Sequence, residues 1–360
     1  VTPKQQEAYD LRAAGLTDAQ IAARLGIDRT SVRDRLRSID PAIERAMTAI
    51  QTDMIPAMVW DKTQPGYSVM LKPAKADNAA NIMEQVANAF KDIPAVLLPS
   101  PVARGDDLMT VYPVMDAHFG MFAWGKETGG QDYDLNLAES DLSQAFSDIL
   151  AVTPVTQKAI LILGGDTLHA DNNDAETPRS KHKLDTDGRH FKAVEMAIRS
   201  ICQIIDTLAA RHTELTVRVL RGNHDVSAHM ILTFALAERY RLAENVTIDK
   251  SPRDLFWVKH GRALVAFHHG DKAPAQRLAM ALADECPHWS DTRDRHILTG
   301  HIHHDSVKDF PGVKWWSLRA FCPADEYGSS FGPRRALQAM VYCAKKGLIL
   351  QAIEPIERVK

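Results

Sequence analysis

The sequence predicts an α/β fold in which a large mixed domain follows a small helical module. Three observations carry this. From Leu108 onward, short apolar runs alternate with amphipathic stretches of helical period. Several of those runs end in a compact cluster of Gly, Asp, Asn and His. The first 50 residues instead read as short helices separated by capping and breaking residues. A chain of 360 residues has room for both parts, since domains usually run about 100 to 200 residues.

Within the first part, an opening helix is expected from Pro3 to Ala14, followed by Gly15 and by Thr17 as the cap of a second helix, Asp18 to Leu25. Gly26 breaks that helix. Asp28 or Thr30 then caps a third helix carrying Ser31, Val32, Arg33, Arg35, Leu36 and Arg37, with Val32, Leu36 and Ile39 spaced to face a core. A β-hairpin is expected from Val59-Trp60, a turn at Gln64-Pro65-Gly66, and Tyr67 to Leu71, and is placed to serve as a wing. The module therefore spans residues 1–72. Residues 73–106, with a helix from Asn78 to Lys91 and a proline-bearing stretch from Pro94 to Gly105, read as a linker. The large domain takes 107–360.

In that domain strands are expected at Met109 to Met115, Ala159 to Leu163, Leu215 to Leu220, Ala263 to Phe267, His296 to Thr299 and Val313 to Leu318. Leu337 to Cys343 and Leu348 to Ile353 form a terminal hairpin. Helices fall near Leu137 to Val152 and Phe191 to Arg211.

Composition narrows the function. A hydrophobic share of 45% and a charged share of 25% suit a soluble globular chain, and no apolar run approaches the roughly 20 residues of a membrane span. Membranes are therefore not expected as partners. The four cysteines, Cys202, Cys286, Cys322 and Cys343, show no CxxC spacing, and the first residues show no charged-then-apolar leader, so a reduced cytoplasmic protein is expected. A net charge of −3 excludes a uniformly basic nucleic-acid coat while leaving room for local basic patches.

The 15 histidines fall in clusters. Asp116-Ala117-His118, Gly165-Asp166, Asn223-His224-Asp225, His269-Gly270-Asp271 and His301-Ile302-His303 each follow an apolar run, where α/β proteins place ligands. Imidazole, carboxylate and amide oxygen are ligands for Zn, Fe, Mn or Ni. Cysteine is absent from all five clusters, which disfavours a structural zinc site and favours open positions for water and substrate. Two ions about 3.5 to 4 Å apart sharing one carboxylate and a hydroxide would clamp both the attacking and the leaving oxygen of a phosphoester.

In this order, Asp-x-His, Gly-Asp, Gly-Asn-His-Asp, His-Gly-Asp and Gly-His-x-His resemble the calcineurin-like metallophosphoesterase family over residues 108 to 320. The resemblance implies a four-layer sandwich of two β-sheets flanked by helices. It implies that Asp116, His118 and His303 hold one divalent ion, that Asp166 bridges, and that Asn223, His269 and His301 hold the other. His224 would face the substrate, stabilising the transition state or protonating the leaving oxygen, with Asp225 placed to orient it. The chain departs from the commoner His-Gly-His pattern at Asp271, and His268 beside His269 leaves open which of the two is the ligand. His169 and His304 read as bystanders.

Arg179, Lys181, Lys183 and Arg189, in the segment after Asp166, form a candidate phosphate-binding rim. Trp315, Trp316, Arg319, Phe321, Tyr327, Phe331, Arg334 and Arg335 interleave aromatic and basic groups, as base-stacking surfaces and buried strands both do. The run from Leu16 to Val32 is similar to helix-turn-helix modules of bacterial and phage regulators, and Arg29, Arg33, Arg35 and Arg37 are its candidate DNA contacts. The whole arrangement resembles phage or prophage-encoded metallophosphoesterases related to the DNA repair exonuclease branch, although that branch's capping domain is not recognisable. The leading expectation is a Mn-dependent DNA nuclease, with Zn or Fe satisfying the same ligands. Two alternatives stay open: a phosphatase or cyclic-nucleotide phosphodiesterase acting on a small molecule, and a DNA-binding regulator or packaging factor with a structural metal domain. Assembly as a homodimer is also open.

Overall fold

The structure, a computed structural model, describes residues 7–8, 11–12, 16–32, 54–60, 67–73, 107–324 and 334–356. Arg33, Arg35 and Arg37, the linker with its expected helix, the hairpin's turn, Tyr327 and Phe331 lie outside the described residues. The chain divides into two compact units, Val1–Ile82 and Met83–Lys360.

In the first unit, α1 (Asp18–Leu25) begins where the Thr17 N–H donates to the Gln20 side chain at 2.9 Å. It ends at Gly26, whose φ of 65° is the left-handed conformation that a side chain disfavours. Of the two expected caps of the next helical turn, Asp28 is the one used: its carboxylate accepts the Ser31 N–H at 2.9 Å. Ala8, Ile21, Ala22 and Val32 are buried together as a small core. Strands β1 (Met54–Trp60) and β2 (Tyr67–Pro73) pair antiparallel from Met54 opposite Pro73 to Trp60 opposite Tyr67.

The second unit runs β3 (Leu108–Val114), α2 (Leu135–Val152), β4 (Lys158–Leu163), α3 (His190–Arg211), β5 (Glu214–Val219), α4 (Ala228–Arg239), β6 (Val246–Asp249), β7 (Phe256–His260), β8 (Ala263–Phe267), α5 (Ala275–Glu285), β9 (Asp294–Thr299), β10 (Ser306–Phe310), β11 (Val313–Ser317), β12 (Ala336–Cys343) and β13 (Gly347–Pro355). One sheet has the order β13-β12-β3-β4-β5-β6, with β3 to β6 parallel. The other has the order β10-β11-β9-β8-β7, with β11, β9 and β8 parallel.

The central strands read as continuous apolar runs, without alternation, because both of their faces are covered. Tyr112, Leu161 and Val217 pack with Phe146, Ile205 and Leu236 on the helix side. Their neighbours Val111, Ile160 and Ile162 face the other way and meet Val265, Phe267 and Leu298 between the sheets. Leu264, Ala266 and Ile297 cover Leu278 and Leu282 of α5. Three apolar layers separate four layers of secondary structure, the sandwich expected from the resemblance. Deleting a side chain as central as Phe267 would cost about 3–5 kcal/mol.

The expected strands and the terminal hairpin are all present, with ends shifted by a residue or two. Three strands and three helices were not anticipated: β6, β7, β10, α4, α5 and the single turn Gly125–Thr128. Strands β7 and β10 lie at sheet edges; β10 has no buried residue and no apolar run, and β7 carries only the short run Phe256-Trp257-Val258. Among the described residues no helix is long and apolar enough to cross a membrane.

Candidate metal centre

All five polar clusters follow the carboxyl ends of strands β3, β4, β5, β8 and β9, so parallel pairing within each sheet brings them to one edge. The turns are abrupt. Among the described residues seven non-glycine residues have positive φ, and five are expected ligands: Asp116 (50°), His118 (47°), Asp166 (48°), His301 (71°) and His303 (59°). Such conformations cost roughly 1–3 kcal/mol each and persist only where the surroundings enforce them. Here backbone hydrogen bonds do so. The His118 N–H donates to the Asp166 carbonyl at 2.9 Å, the His224 N–H to Asp166 Oδ1 at 2.7 Å, and the His301 N–H to Asp116 Oδ2 at 2.9 Å. Gly222 and Gly300 lie so close to Asp166 and Asp116 that a Cβ at either would overlap the carboxylate.

These loops bring all seven expected ligands together. Asp166 Oδ2 lies 3.1 Å from His269 Nε2 and 3.9 Å from His118 Nε2, while Asp116 Oδ1 lies 3.5 Å from His303 Nε2. Asn223 Oδ1 is 3.1 Å from His269 Nε2. Ligand atoms of Asp116, His118 and Asp166 lie within 4.8 Å of one another, as do those of Asp166, His269 and His301. Asp166 thus belongs to both groups. His269, not His268, enters the centre; His268 Nδ1 accepts the Gly270 N–H at 2.9 Å.

The two buried carboxylates favour protonation of the imidazoles beside them, His269 and His303. Burial opposes a charge on His269, yet the Asp166 carboxylate, its hydrogen bond and Asp116 push the imidazole up to about 10. Burial likewise opposes ionisation of Asp166, but His269 holds its carboxyl well below the usual range. His118 is held neutral by burial and by His224, and its Nε2 is buried without a hydrogen-bond partner. A buried nitrogen lone pair beside two buried carboxylates fits a divalent cation, which would satisfy all three.

Asp225 does not orient His224. Its fully buried carboxylate accepts four backbone N–H groups, from Gly222 (2.8 Å), Thr167 (2.9 Å), Leu168 (3.2 Å) and Asp166 (3.3 Å). It ties the Asp166 loop to the Asn223 loop. Burial and the nearby Asp166 charge raise its pKa to about 7 against those bonds. His224 is oriented instead by His169, whose carbonyl accepts the His224 Nδ1–H at 2.8 Å. That leaves Nε2 for the cavity that His224 lines. His169, read as a bystander, is buried with Nδ1 3.0 Å from His118 Nδ1, and its ring stacks on His224 with centroids 5.3 Å apart. A His118 that offers Nε2 to an ion carries its proton on Nδ1, and His169 is the acceptor that fixes that tautomer.

Asp271 receives Arg221 through Nη2 at 2.9 and 3.2 Å, so the departure from the commoner pattern cross-links the His269 and Asn223 loops through an ion pair. Above the ligands a cavity of about 1010 Å³ is lined by His224, His304, Thr177, Ser180, Lys181, His182 and Lys183. His304, the other expected bystander, therefore reaches the cavity wall. Lys181 and Lys183 share Glu176 at 2.8 and 3.4 Å. The other rim candidates fall elsewhere: Arg179 is exposed and lines neither this cavity nor a smaller one of about 340 Å³, and it is the smaller one that Arg189 lines.

The late aromatic and basic stretch is mostly interior. Trp315, Phe321 and Arg335 are buried, and Arg335 binds Asp141 at 2.7 Å and the Phe321 carbonyl at 2.8 Å. Trp316 donates to His296 Nδ1 at 3.0 Å, and Arg319 pairs with Asp305. Neither Arg335 nor Phe321 is available to a nucleic acid. In the first unit Arg29 is exposed.

No family model matches the chain, and no curated protein matches it. Solved structures overlap it weakly. A novel archaeal phosphodiesterase covers 68% of this chain and 99% of its own at 11% identity and a TM-score of 0.36. The phosphoesterase Yfce from E. coli covers 68% and 98% at 12% identity and a TM-score of 0.31. Zinc-complexed Vps29 from Entamoeba histolytica covers 69% and 100% at 11% identity and a TM-score of 0.29.

Proposed function

We propose that the chain is a dinuclear metal-dependent phosphodiesterase and that its substrate is DNA. The observation that carries the reading is the convergence of seven Asp, Asn and His side chains from five strand ends, with five of those residues in disfavoured backbone conformations. Asp116, His118, Asp166 and His303 would hold one ion, and Asp166, Asn223, His269 and His301 the other. Mn is the proposed metal, with Zn and Fe fitting the same donors. When bound, two such ions would supply charge to neutralise phosphoryl oxygens and to lower the pKa of a water. The protein does the rest. His224, fixed through Nδ1, presents Nε2 to the leaving sugar oxygen and hands it a proton. Lys181 and Lys183 line the approach and exchange Glu176 for backbone phosphates.

DNA is favoured over a small ester by the N-terminal unit. A covalently linked module that holds DNA through Arg29, Arg33, Arg35 and Arg37 raises the concentration of phosphodiesters near the metals. Metal-free protein supplied with Mn, Zn or Mg, and offered single-stranded DNA, duplex DNA and a generic phosphodiester, tests the reading. His224→Ala and Asp166→Asn should both lose turnover. Retention of activity by both removes the proposed site. Hydrolysis of the small ester without DNA cleavage overturns the choice of substrate, and an inert protein that still shifts DNA overturns the enzyme.

A further inference from the structure

Cys322 lies outside all five clusters, yet its sulfur and ligand nitrogens of His118 and His303 lie within 4.8 Å of one another. We propose that the Cys322 thiolate is a further ligand on the His118/His303 side of the metal centre, and that it makes this side select Zn(II) or Fe(II) over Mn(II), which narrows the Mn assignment above to the Asn223/His269/His301 side. The inference rests on the metal-centre reading above.

Backbone hydrogen bonds place Cys322 there. Its N–H donates to the Asp116 carbonyl at 3.1 Å, and the Phe321 N–H donates to the Met115 carbonyl at 2.8 Å. Arg335 holds the Phe321 carbonyl from the other side at 2.8 Å. The chain at 321–322 is thereby sewn along the first ligand loop, and Cys322 is wholly buried. The second pointer is His118, 3% exposed, whose Nε2 has no hydrogen-bond partner. Metal–sulfur and metal–nitrogen bonds of about 2.3 and 2.05 Å would put sulfur and nitrogen roughly 3 to 3.5 Å apart for neighbouring ligands. From a spacing of at most 4.8 Å, closing to that distance takes no more than about 2 Å of side-chain movement, within reach of a rotamer adjustment.

The two halves of the centre then differ. Asp166, Asn223, His269 and His301 offer only nitrogen and oxygen, whereas the His118/His303 half adds sulfur. Thiolate selects Zn or Fe, while carboxylate and amide oxygen suit Mn. As the metal–sulfur bond forms, the thiol proton leaves to solvent.

Cobalt titration of the metal-free full chain tests this without reference to turnover. The expected result is a near-ultraviolet thiolate-to-cobalt charge-transfer band together with visible d–d bands. Cys322→Ser should lose the near-ultraviolet band, still bind two cobalt ions per chain, and bind Zn at least ~10-fold more weakly, with Mn affinity changed by less than ~3-fold. Bound cobalt with no charge-transfer band in the unaltered protein overturns the thiolate ligand and leaves the metal centre standing. A band that survives Cys322→Ser belongs to Cys202, Cys286 or Cys343 and overturns it equally. Absence of any cobalt binding removes the metal centre itself, a distinct failure. X-ray absorption at the Zn edge of the unaltered protein decides the same question without a variant: a sulfur scatterer is expected, and a shell of nitrogen and oxygen alone overturns the thiolate.

Discussion

Replacing Asp225 separates a chemical role from a scaffolding one. In Asp225→Ala, four buried backbone donors, on Gly222, Asp166, Thr167 and Leu168, lose their acceptor together. A buried donor left unsatisfied costs about 1–3 kcal/mol. Two of the four bonds are long, and removing a carboxylate whose burial and repulsion by Asp166 raise its pKa to about 7 returns part of the loss. The net expectation is a destabilisation of about 3–5 kcal/mol, large for one residue. For a domain of this size that corresponds to a fall in Tm of about 10 °C. Asp225→Asn keeps one acceptor oxygen but turns an amide donor toward donors, so it should lose about half as much. Because the same bonds hold the Asp166 and Asn223 loops together, metal affinity should fall in the order Asn, then Ala. Thermal melts of metal-free protein and calorimetric metal titration measure both. If either variant melts like the unaltered protein while losing turnover, Asp225 acts in the chemistry and the scaffolding argument is wrong.

Three further outcomes are expected. Gly222→Ala, whose Cβ would overlap Asp166, should lower metal affinity by about 10- to 100-fold, as displaced supports of ligands do; unchanged metal content after dialysis would remove the close-approach argument. His212 is buried, with Nδ1–H donating to the Thr156 carbonyl at 2.8 Å and Nε2 accepting the Tyr112 hydroxyl at 3.2 Å, and burial lowers its pKa to about 4. The folded chain therefore binds fewer protons than the unfolded one between pH 4 and 6.5. This contribution, about 3 kcal/mol at roughly 1.4 kcal/mol per pH unit, is complete above pH 6.5 and is lost as pH falls toward 4. Urea midpoints of His212→Gln should depend less on pH across that window, and equal slopes would refute the assignment. Arg335→Met, which takes away the guanidinium bound to Asp141, should cost about 3–5 kcal/mol, whereas Arg335→Met with Asp141→Leu should recover most of it. Equal losses in the single and double variants would show that packing, not the buried charge, governs the site.

The sequence made the ligand loops legible because each combines a local signal with a fixed place in chain order. Asp116, Asp166, Asn223, His269 and His301 each sit two to four residues beyond a strand whose apolar run is visible by itself. The edge strand β10 carries no such run, and that of β7 is only Phe256-Trp257-Val258, so neither stands out in the sequence. Asp225 was misread because an acid beside a histidine looks like its partner. Nothing local reveals that its oxygens turn inward to the 166–168 backbone, 57 to 59 positions away. Arg334 and Arg335 are adjacent in sequence, and only the fold tells the exposed one from the one buried against Asp141.

His169 and Cys322 share a deeper reason for being overlooked. Both come to the centre through main-chain contacts: His169 through a carbonyl that holds His224, Cys322 through an N–H that holds Asp116. Main-chain groups are identical at every position, so their use leaves no mark on residue type. Other main-chain hydrogen bonds, from the N–H groups of His118, His224 and His301, maintain the left-handed turns at Asp116, His118 and Asp166, whose cost falls on the native state alone. Ions that bind only the folded chain offset that cost by mass action. Metal should therefore raise Tm in the unaltered protein, and less in Asp225→Ala, where the turns lose their enforcement before any ion arrives. An equal rise in both would mean that the ligand loops are held by the ions and not by the backbone around them.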